Sequence, residues 1–253
     1  MSLERIHSLE REKWNVLAEK KLSAVRALSP GDNFFKYTQR TSTMAGIDGF
    51  LSDLDGKRVL EYGCGVGIIS SLLAKSGAIV TSFDLSKTSV RVTHRRADIN
   101  NVADRIHLTV AAGEFLPFDD ESYDVIFGKA ILHHLDASLG WSHLYRVLKT
   151  GGKAVFVEPL GMNPILTFAR DHLPYPNKNP RGADRPLTYE IIGEWGRGFK
   201  SFFFEEIQLL SMLERGLGFN KRLENLRRID RWLLKRIPKL RRYCRYVVMY
   251  MEK

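Results

Sequence analysis

The stretch Val59-Leu60-Glu61-Tyr62-Gly63-Cys64-Gly65-Val66-Gly67-Ile68-Ile69-Ser70 decides the fold of this chain. Two apolar residues of the β-forming type lead into an acidic residue, three glycines follow at every second position, and a helical pattern comes next. Glycine permits a tight turn and close approach of a ligand, and the N–H groups at a helix start attract polar or anionic groups. The stretch therefore predicts a strand, a nucleotide-binding turn and a helix.

The spacing of the glycines narrows the class of nucleotide site. The dinucleotide fingerprint is G-x-G-x-x-G, whereas here Gly67 comes one residue early and Ile68 holds the expected position. A phosphate-binding loop of the form G-x-x-x-x-G-K-[ST] is also missing from the sequence. A tight turn needs glycine even without a ligand, so the residues that follow have to decide the function.

Size and composition indicate one α/β domain with additions, since the chain has 253 residues of ordinary polarity. The first 28 residues mix Glu, Lys and Arg throughout, which argues against a signal peptide. No run reaches the roughly 18 apolar residues of a membrane-spanning helix. Only two cysteines are present, Cys64 and Cys244. We therefore expect a reduced, cytoplasmic protein without a disulfide framework.

Most of the positive charge lies at the C-terminal end. The formal net charge is +10, and residues 221–253 account for +9 of it, with twelve Lys or Arg against three acids. An apolar stripe runs through a helix predicted over 211–238: Leu223, Leu226, Ile229, Leu233 and Ile237. Residues 221–245 are either a solvated face whose stripe packs beside the last strand, which we favour, or a contact with an anionic membrane, or a contact with RNA, the least expected partner.

Apolar periodicity predicts the remaining elements. Helices are expected within 3–28, at 68–76, 86–100 and 141–148, and strands at 78–83, 106–110, 125–127, 154–157, 199–210 and 246–251. Residues 160–198 are rich in proline and are predicted as a long irregular insertion. Such insertions are usually lids or binding loops. Candidate acceptor contacts there are His172, Tyr175, Arg181, Asp184 and Arg185, and a proline-rich surface excursion is the alternative.

Asp84 ends the second predicted strand, 21 positions after Gly63. A carboxylate there, about 20 residues beyond the glycines, can accept both ribose hydroxyls of a nucleotide. The alternative is that Asp84 caps the following helix. Together with the glycine turn, the ribose role is favoured.

Several motifs occur in the same order as in one enzyme family. They are Glu61-x-Gly63-x-Gly65-x-Gly67, Ala111 to Phe118, Tyr123-Asp124-Val125 and Lys149-Thr150-Gly151-Gly152-Lys153. Over about residues 57–159 the chain resembles the class I S-adenosylmethionine-dependent methyltransferases, of the small-molecule type-11-like group. The resemblance implies S-adenosylmethionine as cofactor, S-adenosylhomocysteine as product, and a small-molecule acceptor.

The resemblance also implies a fold. We expect an α/β protein with a seven-stranded, mostly parallel Rossmann-like sheet, helices on both faces and an antiparallel last strand. One methyltransferase domain would cover residues 1–253. Its parts would be an N-terminal helical cap (1–45), the cofactor-binding core (46–160), a substrate lid (161–198), and the C-terminal strands with the basic helix (199–253).

Cofactor contacts carry over onto matching positions. They are Tyr37, Arg40, Glu61, Tyr62, Gly63, Cys64, Gly65, Gly67, Asp84, Leu85, Gly113, Glu114, Lys129 and His134. Arg40 would pair with the methionine carboxylate, unless the segment around Tyr37 is only a surface helix. The family has an acid where this chain has Ala112, so Glu114 or a backbone carbonyl would accept from the adenine amino group, and the Gly113 N–H would donate to the ring.

His133 is the first candidate for the catalytic base, because strand four leads directly to it. A hydroxyl acceptor needs a base near the methyl group, and imidazole is mostly neutral at pH 7. Glu158, at the end of strand five, would orient His133 or position the substrate. Alternatively the histidine pair only packs against the cofactor. His7, His94, His107 and His143 are expected outside this site, and no metal is expected because adjacent histidines lack the i, i+4 spacing of a zinc motif.

Three classes of function therefore remain. The best supported is a small-molecule methyltransferase. The second is a methyltransferase that acts on a membrane-associated lipid or isoprenoid, or on a nucleic acid, through the basic C-terminal helix. The third is a non-catalytic protein that binds S-adenosylmethionine with the same fold.

Overall fold

The computed structural model describes residues 2–44, 46–173, 185–213 and 224–253. Its strands are β1 (Arg58–Tyr62), β2 (Ile79–Asp84), β3 (Ile106–Val110), β4 (Tyr123–Lys129), β5 (Leu148–Pro159), β6 (Ser201–Ile207) and β7 (Tyr246–Glu252). They form one seven-stranded sheet in the order β3-β2-β1-β4-β5-β7-β6. The pairs among β1 to β5 are parallel, and β7 is antiparallel to both β5 and β6. The predicted fold class is confirmed.

Helices cover both faces of this sheet. They are α1 (Leu3–Leu22), α2 (Phe34–Arg40), α3 (Ile47–Leu51), α4 (Ile68–Lys75), α5 (Lys87–Ile99), α6 (Ala137–Val147), α7 (Pro164–His172), α8 (Tyr189–Trp195) and α9 (Glu224–Arg236). Side chains of the N-cap type, such as Ser86 and Asp136, accept the first free N–H groups of α5 and α6. The sequence thus specifies where these helices begin.

The core has two halves, one on each face, because successive residues of a strand point to opposite sides. On β5, Ala154 and Phe156 pack with Trp195 of α8. Their neighbours Val155 and Val157 pack with Phe34 of α2 on the other face. Burial of both faces is what a mainly parallel sheet requires.

The prediction that residues 160–198 are irregular is wrong. The segment contains α7 and α8 on either side of residues 174–184, which lie outside the described residues. Asn163 and Thr188 cap the two helices, and α8 buries Ile192 and Trp195 against the core. The many prolines favoured an irregular segment in the prediction, whereas the capping residues Asn163 and Thr188 mark the starts of two short helices.

The predicted stripe on the C-terminal helix also needs correction. Ile229 and Ile237 are exposed, whereas Asp230 and Leu234 are buried. The Asp230 carboxylate accepts the backbone N–H groups of residues 209–211 at 2.8 to 3.1 Å. This contact turns the Asp230 side of α9 toward the protein and turns part of the apolar stripe toward solvent. Leu223 lies outside the described residues.

The glycine turn between β1 and α4 has the backbone that its sequence predicts. Gly63, Gly65 and Gly67 have positive φ angles of 80°, 50° and 75°. At Gly67 space is also restricted, because a Cβ would lie 2.7 Å from the Cα of Thr93 on α5. Glycine is therefore required at this position for conformation and for close approach of α5.

Gly67→Ala should destabilise the protein much more than Gly151→Ala. Gly151 has a similar φ of 74° but open space around its Cβ position, so alanine there should cost about 1 kcal/mol of unfolding free energy. At Gly67 the steric clash adds to the strain, and we expect a loss of about 3 kcal/mol. Urea denaturation of both variants measures this difference, and equal losses would contradict the packing argument.

Candidate active site

A cavity of about 190 Å³ lies at the carboxyl edge of the sheet. It is near the point where strand order reverses between β1 and β4, which is where open α/β sheets bind ligands. The lining residues come from the loops after β1, β2, β3 and β4 and from α1: His7, Glu10, Trp14, Gly63, Gly65, Phe83, Asp84, Leu85, Ala111, Ala112, Gly113, Glu114, Lys129, Ala130, Ile131, His134 and Leu135. Eight residues predicted as cofactor contacts therefore line one cavity: Gly63, Gly65, Asp84, Leu85, Gly113, Glu114, Lys129 and His134.

Asp84 joins the glycine turn to the end of β2. Its carboxylate accepts the Gly65 N–H at 2.9 Å through one oxygen and the Ser86 N–H at 2.8 Å through the other. Burial raises the pKa of Asp84 to about 6, although the two N–H groups act in the opposite direction. A partly desolvated carboxylate that faces a cavity is a strong acceptor for hydroxyl groups.

The cavity lining does not include four other predicted contacts: Glu61, Tyr62, Cys64 and Gly67. The Tyr62 hydroxyl donates to the carbonyl oxygen of Gly113. Glu61 is buried in β1, where its carboxyl group accepts from the Ser70 and Ser82 hydroxyls. Burial raises the pKa of Glu61 to about 8.

Helix α1 forms a wall of the cavity, which the sequence did not predict. His7 Nε2 lies 3.2 Å from Glu114 Oε2, and His134 Nδ1 lies 3.4 Å from Glu10 Oε1. Trp14 Nε1 donates to Glu10 at 2.8 Å. Burial acts to raise the pKa of Glu10, but the contacts with His134 and Trp14 outweigh it and hold the pKa below its ordinary value.

The expectation that His7 lies outside the site is therefore wrong. His7, Glu10 and Trp14 are spaced i, i+3 and i+7 and share one face of α1. The spacing predicts that these three side chains share a face of α1. It does not predict that this face covers the loop with Glu114, because that loop is distant in sequence. Glu114, in turn, contacts both His7 and the Asp136 N–H, so protein groups already contact both oxygens of the predicted adenine acceptor.

Lys129 is the last residue of β4 and lines the cavity, and burial lowers the pKa of its amino group. Its Nζ lies 6.0 Å from the ring centre of Tyr37 on α2. Tyr37 therefore borders Lys129 without lining the cavity. Arg40, at the end of α2, is exposed and pairs with Asp32 at 2.7 Å. The predicted contact between Arg40 and a methionine carboxylate has no support from this geometry.

His133 and Glu158 form a close pair. His133 Nδ1 lies 2.7 Å from Glu158 Oε2, and Glu158 Oε1 accepts the N–H groups of Ile131 and Leu132 at 2.9 and 3.0 Å. Glu158 is fully buried. A carboxylate at Nδ1 favours the tautomer with its proton on Nδ1, which leaves Nε2 as the basic nitrogen.

A second cavity of about 320 Å³ adjoins the first and shares His134 and Leu135 with it. Its lining mixes polar and apolar residues: Leu3, Ile6, Leu132, His133, His134, Leu135, Asp136, Ala137, Arg185, Leu187, Ile191 and Glu194. His133 thus belongs to the wall of the second cavity, next to the residues shared with the first. The two cavities thus lie side by side, with His134 and Leu135 in their common wall.

The predicted acceptor contacts have different positions. Arg185 lines the second cavity, and its N–H donates to the His133 carbonyl oxygen at 3.3 Å. His172 is exposed at the end of α7, stacks on Phe168, and is absent from the lining of both cavities. Tyr175, Arg181 and Asp184 lie outside the described residues. Within the described ranges, no three histidine, cysteine or acidic side chains are grouped closely enough to hold a metal ion.

Comparison with known proteins identifies the core. A family model described as a methyltransferase domain matches residues 60–156. The chain is 37% identical over 106 residues to a demethylmenaquinone methyltransferase of Clavibacter sepedonicus, covering 41% of each chain. It is 35% identical over 104 residues to a ubiquinone biosynthesis O-methyltransferase of Coxiella burnetii, covering 41% of this chain and 44% of the relative. The matches thus span less than half the length of these relatives.

The fold has solved counterparts. Geranyl diphosphate C-methyltransferase from Streptomyces coelicolor superposes with a TM-score of 0.58 at 15% identity, over 83% of this chain and 76% of that one. At this identity the likeness concerns the fold alone.

Glu61→Gln should change how stability depends on pH. The pKa of Glu61 is raised from an ordinary 4.5 to about 8 in the folded chain. The stability contributed by this group is therefore complete below about pH 4.5 and is lost as pH rises through about 8. The variant lacks this loss, so its unfolding free energy should exceed that of wild type increasingly between about pH 5 and 8, by on the order of a few kcal/mol.

Urea denaturation at several pH values measures the effect of Glu61→Gln. Glu19→Gln, at an exposed acid of α1, is the matched control and should follow the wild-type curve. Parallel curves for wild type and Glu61→Gln would contradict the assignment.

Proposed function

We propose that this chain, a member of the class I S-adenosylmethionine-dependent methyltransferases, methylates a hydroxyl group of a small molecule with His133 as the base. The observation that carries the proposal is the Glu158–His133 pair, because His133 lines the second cavity next to His134 and Leu135, which both cavities share. The first cavity would hold the cofactor and the second the acceptor. His134 and Leu135, which both cavities share, would separate the two ligands.

The residues of the first cavity fit S-adenosylmethionine. Asp84 offers carboxylate oxygens for the ribose hydroxyls, and Gly63 and Gly65 present bare backbone beside it. Lys129 offers a cation for the methionine carboxylate, the role predicted for Arg40. Phe83 and Leu85 provide apolar surface for adenine, a use to which aromatic and aliphatic walls are suited.

The catalytic work of the chain is positioning and proton removal. S-adenosylmethionine, when bound, supplies a methyl group that the sulfonium already activates. His133 Nε2 would accept the proton of the acceptor hydroxyl, and Glu158 would hold the Nδ1–H and stabilise the imidazolium that forms. The Ile131 and Leu132 N–H groups donate to Glu158 and hold its carboxyl group in position.

Residues 161–198 would act as the lid over the acceptor. Support comes from Arg185, Leu187, Ile191 and Glu194, which line the second cavity. Their mixture of apolar and charged groups suits an acceptor that carries both apolar and polar parts. The division into a cap (1–45), core (46–160), lid (161–198) and C-terminal part (199–253) belongs to the same proposal.

The second candidate function is methylation of a membrane-associated lipid or isoprenoid. The supporting observation is the basic region 221–245, whose described part exposes Arg228, Lys235 and Arg236. The protein would then be cytoplasmic and peripheral at an anionic membrane. None of the helices within the described ranges is long and apolar enough to cross a bilayer. Nucleic acid as acceptor, or binding of the cofactor without catalysis, has less support.

His133→Ala should lower the methylation rate by about a hundred-fold or more, because general-base catalysis contributes factors of this size. Glu158→Gln should lower it less and shift the pH–rate profile, since the imidazole loses its carboxylate partner. A panel of phenols, catechols, quinols and amines, followed by mass spectrometry, first identifies an acceptor, and single-turnover rates then compare the variants.

His94→Ala, at an exposed histidine of α5 that pairs with Asp98, is the matched control. Calorimetry with S-adenosylhomocysteine verifies that each variant still binds the cofactor product. An undiminished rate for His133→Ala would remove it as the base, and methylation of amines alone would remove the hydroxyl acceptor.

A further inference from the structure

We propose that α7 and α9 together form one surface that docks on an anionic phospholipid bilayer, and that the acceptor enters the second cavity from this bilayer. The surface consists of the exposed apolar and basic residues of 164–173 and 224–239. The inference rests on the proposed function because it names where the acceptor comes from. Beyond the basic C-terminal region, the inference includes α7 in the membrane-binding surface and gives the acceptor a route into the second cavity.

Helix α9 exposes apolar and basic side chains on the same face. Ile229 is 44% exposed and Trp232 is 59% exposed. Arg228 and Arg236 lie four residues to either side of Trp232 and are also exposed, so helical spacing places them beside it. A tryptophan flanked by arginines suits the boundary between lipid headgroups and acyl chains.

Helix α7 has no buried residue. Ile165 is 71% exposed and Phe168, three residues later, is 62% exposed. Leu173, just beyond the helix, is 55% exposed. Several large apolar side chains exposed together on a short segment are unusual for a surface that faces only water.

The start of α7 is hydrogen-bonded to the segment that follows α9. Asn163 caps α7 through its Oδ1, and its Nδ2 donates at 2.7 Å to the carbonyl oxygen of Tyr243, in the turn that follows α9. The Leu160 N–H donates to the Arg245 carbonyl oxygen at 2.9 Å. Both connections lie where β5 ends and β7 begins, so the start of α7 and the segment between α9 and β7 lie together at the edge of the sheet that carries the cavities.

The same edge leads into the second cavity. The Leu187 N–H donates to the Pro159 carbonyl oxygen, and the Gly161 N–H donates to the Leu187 carbonyl oxygen, both at 2.9 Å. Leu187 and Arg185 line that cavity. Three residues after Gly161 the chain enters α7. An acceptor that is dissolved in the bilayer would enter beside this backbone pair, because Arg185 and Leu187 share the cavity wall with His133.

Charge complementarity favours a lipid bilayer as the partner. Residues 224–245 contain nine Lys or Arg against two acids, a net charge of +7. Basic residues near an anionic bilayer gain attraction, and exposed apolar side chains gain burial in the headgroup boundary. A nucleic acid would use the cations but would leave Ile165 and Phe168 in water. The bilayer uses both kinds of side chain.

Vesicle sedimentation tests the surface with the full chain. One vesicle contains phosphatidylcholine alone, and the other contains phosphatidylcholine and phosphatidylglycerol in equal parts. Wild type should bind the anionic vesicles. Arg228→Gln with Arg236→Gln should weaken this binding about ten-fold or more, since each basic residue near the surface contributes about 1 kcal/mol. Ile165→Ser with Phe168→Ser should weaken it by a similar factor through lost apolar burial.

Control variants remove exposed basic or apolar side chains from helices outside this surface. Arg91→Gln with Arg95→Gln takes two exposed cations from α5, and Val16→Ser takes an exposed apolar side chain from α1, where Val16 is 53% exposed. Both controls should bind anionic vesicles as wild type does. A thermal melt confirms that every variant is folded.

Three results would overturn the inference: no binding of wild type to anionic vesicles, equal binding by the surface variants, or self-association or RNA binding that these substitutions abolish while vesicles remain unbound. Calorimetry with S-adenosylhomocysteine on the same proteins keeps the two proposals separate. Cofactor-product binding without vesicle binding removes the surface alone, and vesicle binding without cofactor-product binding removes the proposed function.

Discussion

Parallel pairing of β1 with β2 and with β4 is the constraint on which the site depends. Tyr62, the last residue of β1, is in register with Phe83 on one side and with Gly128 on the other. The three strands therefore end at one level, and the glycine turn, Asp84 and Lys129 emerge beside one another. The Gly65 N–H then bonds to the Asp84 carboxylate, which fixes the turn relative to its neighbouring strand.

Three contacts between a histidine and a carboxylate connect other segments to these strand ends. His7 with Glu114 and His134 with Glu10 attach α1 across the first cavity, while His133 with Glu158 joins the loop after β4 to the end of β5. In each pair the carboxylate is almost fully buried, where effective dielectric is low and such contacts are stronger than in water. The same side chains thus line the first cavity and hold His133, the proposed base, in the wall of the second.

The strands and the cofactor core were predictable from the sequence because their signals are local. Glycine spacing, the acid that ends β2 and the short apolar runs of the strands all act within a few residues. Contacts between distant segments were not predictable in this way. Helical spacing puts His7, Glu10 and Trp14 on one face, but only the packing of α1 against α5 and the loop after β4 decides what this face covers. The exposed position of Ile229 likewise follows from the bonds between Asp230 and a distant turn.

The most direct test of the account is calorimetric titration of the purified chain with S-adenosylhomocysteine. The account predicts binding by wild type, and an affinity lowered about ten-fold or more by Asp84→Ala, because two charge-assisted hydrogen bonds to ribose are lost. Asp104→Ala, at an exposed acid just before β3 on the opposite edge of the sheet, should bind as wild type does. Absence of binding by wild type, or equal affinities for wild type and Asp84→Ala, would contradict the assignment of this cavity.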